Sequence, residues 1–250
     1  MITLNQVIAV EKNKTVYRDG DKCIKVFDAE YSKADVLNEA LNQARIEEIG
    51  LNTPKILEVT EIDGKWAIVS QFVNGKTLAQ LIEEEPEKKA EYIQLLVDLQ
   101  IRIHEKGYAG LNRLKDQLSQ KIAQTELEAT TRYDLHTRLE GMPKSGRICH
   151  GNFTPASVIV TESDVPYIID WAHASQGDPS ADAANTYLLL LLNGDTDGAE
   201  IYLDTFCKTS DTARHCVQRW IPIVAASLSV NGNGEERAFL LSQVSADNAQ

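Results

Sequence analysis

Residues 148–192 read ICHGNFTPASVIVTESDVPYIIDWAHASQGDPSADAANTYLLLLL. Two short runs, Val158–Thr161 and Tyr167–Ile169, are rich in β-branched and aromatic residues and predict strands. Asp170 stands among the apolar residues Ile168, Ile169 and Trp171. A carboxylate buried in such company is costly unless it is paired, so a metal or a hydrogen-bond donor is expected beside it. Further on, the pattern predicts a helix over Asp182–Leu192, opening near Pro179. Asp178 and Asp182 are read as helix-capping and loop-bracing residues rather than catalytic ones, and Leu188–Leu192 as buried core.

Working outward, Asn5–Val10 is a short apolar start. Thr15–Arg18 and Lys22–Phe27 alternate around Asp19-Gly20, a hairpin signal, and Ile56–Thr60 and Trp66–Phe72 do so around Asp63-Gly64. Between them, Val36, Leu37, Ala40, Leu41, Ala44 and Ile49 recur at helical spacing, with Ser32 as cap and Gly50 as terminator. After Gly75 helices are predicted over Thr77–Ile82 and Ala90–Lys106, with one or two more in Leu111–Leu139. Beyond the quoted stretch, Asp197–Lys208, Thr212–Val230 and Glu235–Val244 read as helices, and the tail Ser245–Gln250 as frayed. The arrangement is α+β: a β-rich N-terminal lobe over residues 1–73 and a larger, mostly helical lobe over residues 74–250.

Among 250 residues, 25 Lys and Arg face 37 Asp and Glu, a net charge of −12. Nucleic-acid affinity comes mainly from cations that neutralise phosphates, so no nucleic-acid partner is expected. Anionic membranes are disfavoured for the same reason. The longest strongly apolar run, Tyr187–Leu192, is far short of the roughly 20 residues of a membrane span, and the N-terminal residues do not read as a signal peptide. Cys23, Cys149, Cys207 and Cys216 form no C-x-x-C pair, which predicts free thiols in a reducing, cytoplasmic setting. His104 falls at core spacing on its helix and is read as a satisfied core histidine. Residues 176–211 hold seven carboxylates against one cation, Lys208. They read as a solvated helical face in preference to a cation-attracting wall, because they do not share one helical spacing.

The 45 residues 148–192 resemble the aminoglycoside phosphotransferase and choline kinase-like family, relatives of the protein kinases. The pattern is His-Gly-Asp, four residues, Asn, two strands, Ile-Asp-Trp, then Gly-Asp-Pro and an Asp-bearing helix. The resemblance implies a bilobal, protein kinase-like fold with the nucleotide between the lobes, and ATP and Mg²⁺ as cofactors. It implies that Lys25 contacts the nucleotide phosphates and that Glu39 holds Lys25. Gln71–Val73 would then hydrogen-bond adenine through the backbone, His150 opens the catalytic loop, and Asp170 binds the metal. These residue types suit the chemistry: a transferring phosphoryl group spreads negative charge that fixed cations must meet, and Mg²⁺ wants oxygen ligands.

Three positions depart from the pattern. The catalytic-loop Asp is Asn152, whose amide has no usable basicity but whose carbonyl still accepts a hydrogen bond. The second metal-binding position, normally Asn, is Ser157. The loop over the phosphates, about residues 11–15, reads Glu-Lys-Asn-Lys-Thr, with no glycine to let backbone amides approach a phosphate. Lys12 and Lys14 supply side-chain charge there instead. The reading is ATP- and Mg²⁺-dependent phosphotransfer to a hydroxyl of a small, cationic or sugar-like molecule, with weakened activity. The alternative is a pseudokinase that binds nucleotide or another ligand without efficient transfer.

Overall fold

A computed structural model describes residues 3–11, 13–107 and 110–245; Lys12 and the tail from residue 246 lie outside these. Contacts divide the chain into two compact units, Met1–Glu83 with Pro155–His173, and Glu84–Thr154 with Ala174–Gln250.

The first unit is built on a five-stranded antiparallel sheet. Its strands are β1 (Gln6–Glu11), β2 (Lys14–Asp19), β3 (Lys22–Phe27), β4 (Ile56–Ile62) and β5 (Lys65–Gln71), in the order β1-β2-β3-β5-β4. Both predicted hairpins form. In the second, Asp63 and Gly64 take φ of 51° and 75°, the paired positive values that a two-residue turn matching the strand twist requires. In the first, the loop is Gly20-Asp21, one residue later than the Asp19-Gly20 expected, because Asp19 still pairs with Lys22. Strand alternation gives the sheet two apolar faces. Ile24, Val26, Ala67 and Val69 form one cluster; Phe27 and Ile68 form the other with Val36 and Ala40 of α1 (Lys33–Glu48). Ser32 caps that helix by accepting the Ala34 N–H at 3.2 Å, and Gly50 follows it at φ 76°, as the sequence pattern required.

The same unit holds a small sheet, β6 (Gly75–Thr77), β8 (Val158–Thr161) and β9 (Pro166–Ile168), in the order β6-β8-β9. Three-residue β6 was not legible as a strand. The helix expected from Thr77 starts instead at Leu78 as α2 (Leu78–Glu84), with Thr77 as its cap. Gln80 N–H donates to Thr77 Oγ1 at 3.1 Å and Thr77 N–H to Gln80 Oε1 at 2.9 Å, a reciprocal capping box.

The second unit is helical: α3 (Lys89–His104), α4 (Leu114–Ala123), α5 (Ala129–Gly141), α6 (Pro179–Leu192), α7 (Thr196–Ser210), α8 (Arg214–Gln218), α9 (Ile221–Ser229) and α10 (Gly234–Ser245). Strands β7 (Arg147–Cys149) and β10 (Ser175–Gly177) pair antiparallel within it. The helix expected over Thr212–Val230 is broken between α8 and α9. Pro222 cannot donate to the carbonyl four residues back and its ring clashes there, so a new helix opens with proline in its first turn. Helix α6 begins at Pro179, capped by Asp178, where the sequence placed its opening. Leu188 and Leu190 are buried, and all four cysteines are free thiols. No helix among the described residues is long and apolar enough to cross a membrane.

Gly75 lies so close to β8 that a Cβ there would come within 2.2 Å of the Val160 carbonyl oxygen. Gly75→Ala is therefore expected to cost about 1–3 kcal/mol, the usual range for forced overpacking. A urea titration followed by far-ultraviolet circular dichroism measures it, and an unchanged midpoint contradicts the packing described.

Candidate active site

Strand β3 carries Lys25 on the same face as Phe27, the face covered by α1, and α1 carries Glu39. The chain after β9 turns sharply at Asp170, whose φ is 66°, a left-handed conformation that Asp tolerates better than most side chains. That turn is locked from several sides. Ile169 N–H donates to the Ser157 carbonyl at 2.9 Å and Ile168 N–H to the Asn52 carbonyl at 2.8 Å. Buried Trp171 donates its indole N–H to Thr53 Oγ1 and the Ile168 carbonyl, both at 3.1 Å. Asn42 of α1 donates to the Trp171 and Ala172 carbonyls at 3.4 and 3.3 Å.

These supports bring three charges together. Lys25 Nζ donates to Glu39 Oε1 at 3.0 Å and also to Asp170 Oδ1. The side chains are 13%, 3% and 23% exposed for Lys25, Glu39 and Asp170, so the pairing is only weakly screened. Burial alone would push the Lys25 ammonium down; Asp170 and then Glu39 outweigh it and hold it well above the usual lysine value. Lys25 is a fixed cation at every pH of interest. A second ammonium, Lys14 Nζ, lies 3.7 Å from Asp170 Oδ1 and 3.3 Å from Glu11 Oε2.

The second unit supplies a loop at His150–Asn152, and one carboxylate shapes it. Asp182 of α6 is buried; its Oδ1 accepts the Gly151 N–H at 2.8 Å and its Oδ2 the His150 N–H at 3.2 Å. The same Oδ2 receives Gln100 Nε2 at 3.1 Å and lies 2.9 Å from His104 Nε2, both on α3. Asn185 Nδ2 donates to the Gly151 carbonyl at 2.5 Å, and Gly151 sits at φ 77°. Buried His150 accepts the Asn152 N–H through Nδ1 at 3.3 Å. His104 is thus satisfied as expected, and Asp178 and Asp182 take the capping and bracing roles read from the sequence. Burial would raise the Asp182 carboxyl, but His104, the Gly151 amide and Gln100 outweigh it and hold it at about 2.

The first unit thus presents two secluded ammonium groups fixed against carboxylates, and the second a tightly framed His-Gly-Asn loop. The sequence pattern of the Phosphotransferase enzyme family, APH, matches residues 5–218. The chain belongs to this family. Among solved structures, that of aminoglycoside phosphotransferase APH(4)-Ia is 16% identical, with a TM-score of 0.72 over 96% of this chain and 91% of that one. A thermostable mutant of APH(4)-Ia, solved as a ternary complex with AMP-PNP and hygromycin B, is 15% identical with the same TM-score of 0.72 over 96% and 91%. Choline kinase LicA from Streptococcus pneumoniae is 14% identical, with a TM-score of 0.67 over 100% and 94%. At these identities the likeness establishes the fold: a protein kinase-like fold, with a small antiparallel sheet and a helical C-terminal part. No curated protein sequence matches the chain significantly.

Within this family fold, the structure brings Lys14, Lys25, Glu39 and Asp170 together. Ser157 is buried, and its carbonyl accepts the N–H of Ile169, the residue before Asp170. The Gln71 and Phe72 amides are already bonded, to the Lys55 and Asp21 carbonyls at 2.9 and 2.7 Å, while Val73 follows them, buried. Among the described residues no cluster of three or more His, Cys, Asp or Glu side chains forms a metal cage. The Asp170 carboxylate fits a Mg²⁺ brought in with phosphates once Lys14 gives way, since Mg²⁺ characteristically takes one or two carboxylates plus phosphate and water.

Sequence reading missed Gln100 and Asn185 as loop-framing residues. Gln100 stands four residues before His104 on one helix face, and that spacing was the available signal. The acidic run over residues 176–211 is neither a wall nor a plain solvated face. Asp178 caps α6, Asp182 is buried on His104, Asp195 pairs with Lys89, and Glu200 and Asp204 both pair with Arg214.

A carboxylate held at about 2 stabilises the fold fully above its unfolded value of 3.8, and that support is lost as pH falls toward 2. Asp182→Asn should lose about 2–3 kcal/mol at pH 7, by the free energy that a shift of this size represents. The gap to the native protein should close between about pH 4 and pH 2, as denaturant unfolding at each pH will report. A gap independent of pH there would contradict the buried charge.

Proposed function

We propose that this chain binds ATP at the Lys25–Glu39–Asp170 cluster and transfers its terminal phosphate slowly to a hydroxyl of a small, sugar-like or cationic molecule. Lys25 carries the reading: a buried ammonium held by two carboxylates is pre-aimed and loses no reorganisation when a phosphate arrives. In this assignment residues 1–73 supply the nucleotide-binding lobe and residues 74–250 the catalytic loop and acceptor region. Gln71–Val73 is the adenine-contacting segment. With the Gln71 and Phe72 amides engaged, Val73 is the position whose backbone meets the base. Asp170, with Ser157, holds Mg²⁺, whose chemistry is neutralisation of the phosphate oxygens. The free thiols fit a cytoplasmic setting.

Transfer forms a bond from the acceptor oxygen to the γ-phosphorus and breaks the bond to the β–γ bridging oxygen; the acceptor proton must leave. Asn152, at the loop's substrate-facing position, orients the acceptor hydroxyl through its carbonyl but takes no proton. Loss of a general base costs about 10²–10⁴-fold. The loose phosphoryl transition state leans more on electrostatics, so a residual rate is compatible with Lys25 in place.

Asn152, Ser157 and the glycine-free loop favour a second reading, a pseudokinase that binds nucleotide and acts through its shape. One experiment separates the two. ATP hydrolysis and transfer to an amino-sugar and choline panel are measured for the native chain and for Asn152→Asp. A measurable native rate that rises about 10²-fold or more with the aspartate supports a slowed kinase. No turnover in either, with a retained melting-temperature shift on adding ATP, supports the binding module. Lys25→Met should abolish that shift, and a shift that survives it overturns the nucleotide site.

A further inference from the structure

The loop that would lie over the phosphates has no glycine, and Lys14 compensates in a particular place. Lys14 opens β2 opposite Phe27, and Lys25 pairs with Val16, so the two lysines lie diagonally on one face of the sheet. Both ammonium groups converge on one oxygen, Asp170 Oδ1. Lys14 is 14% exposed, as secluded as Lys25 at 13%. Its other partner, Glu11, is 46% exposed, so that grip is screened by solvent and easily exchanged.

Charge decides what this arrangement is for. Glu39 and Asp170 against Lys25 alone leave −1, which repels a polyphosphate; Lys14 offsets that charge, and the remaining carboxylate, Glu11, is the solvent-screened one. That offset is the task a divalent cation performs when it sits between a carboxylate and phosphates. A divalent cation approaching Asp170 must also displace or repel Lys14.

We propose that Lys14 is a built-in counter-cation at Asp170, so that nucleotide phosphates are held by two ammonium groups and bind with little dependence on a divalent metal. The inference rests on the nucleotide-binding reading above and goes beyond it by assigning the cation. It also makes Lys14 a ligand-binding residue whose effect depends on whether metal is present, which a merely structural lysine would not show.

Isothermal titration of the full chain with ATP, in EDTA and in excess Mg²⁺ at matched ionic strength, tests it. For the native chain the two dissociation constants should agree within about threefold. Lys14→Met, similar in length but uncharged, should weaken binding about tenfold in EDTA, the scale of one charge-assisted hydrogen bond, and Mg²⁺ should restore most of it. Lys14→Arg keeps the charge and should keep metal-free binding, which guards against a folding defect in the first variant. Native binding that appears only with Mg²⁺, or Lys14→Met binding like the native chain in EDTA, overturns the proposal while leaving the nucleotide site standing. Absence of ATP binding in both buffers overturns both.

Discussion

One ammonium group joined to two carboxylates organises the first unit. Lys25 comes from a central strand, Glu39 from the helix laid on that sheet, and Asp170 from a turn more than a hundred residues later in the chain. None could stay charged out of water without the others, since an unpaired buried ion costs several kcal/mol. Their meeting therefore constrains the packing of α1 on the sheet and the shape of the turn after β9. The indole of Trp171 and the amide of Asn42 then fix that turn without adding charge.

The second unit solves a similar problem with one carboxylate and many donors. Asp182 collects two successive backbone amides, a glutamine and a histidine, so its charge is spread over hydrogen bonds instead of a full ion pair. This is a stiff arrangement: a buried polar network whose members are satisfied specifies one geometry. The chain thus holds two charged centres of unlike design, one an interleaved set of ammonium groups and carboxylates, the other a closed brace around a single carboxylate.

Much of this was legible in the sequence, for physical reasons. Asp63-Gly64 admits few backbones other than a tight hairpin, and Ser32 and Gly50 bracket α1 because caps have strong local chemistry. Asp170 could be picked out because an acid among isoleucines and tryptophan needs a partner. What stayed hidden depends on tertiary pairing. Strands β6 and β10 are three residues long and exist only because β8 and β7 lie beside them. The break before α9 is written in Pro222, yet the apolar periodicity on both sides masked it. Gln100 and Asn185 carry no motif; only the folded chain shows Gln100 bonded to Asp182 and Asn185 to the Gly151 carbonyl. Charge counting along residues 176–211 misled because Lys89, His104 and Arg214, which partner four of its seven carboxylates, all lie outside that stretch.

The brace around residues 150–152 has a consequence for the chain's history. Its bonds run through the amides of His150, Gly151 and Asn152 and the side chains of His150, Asp182 and Asn185. The brace grips position 152 through its backbone N–H, a group that every residue but proline carries. Asparagine and aspartate are near-isosteric and their codons differ by a single base, so one mutation exchanges them while leaving that backbone grip in place.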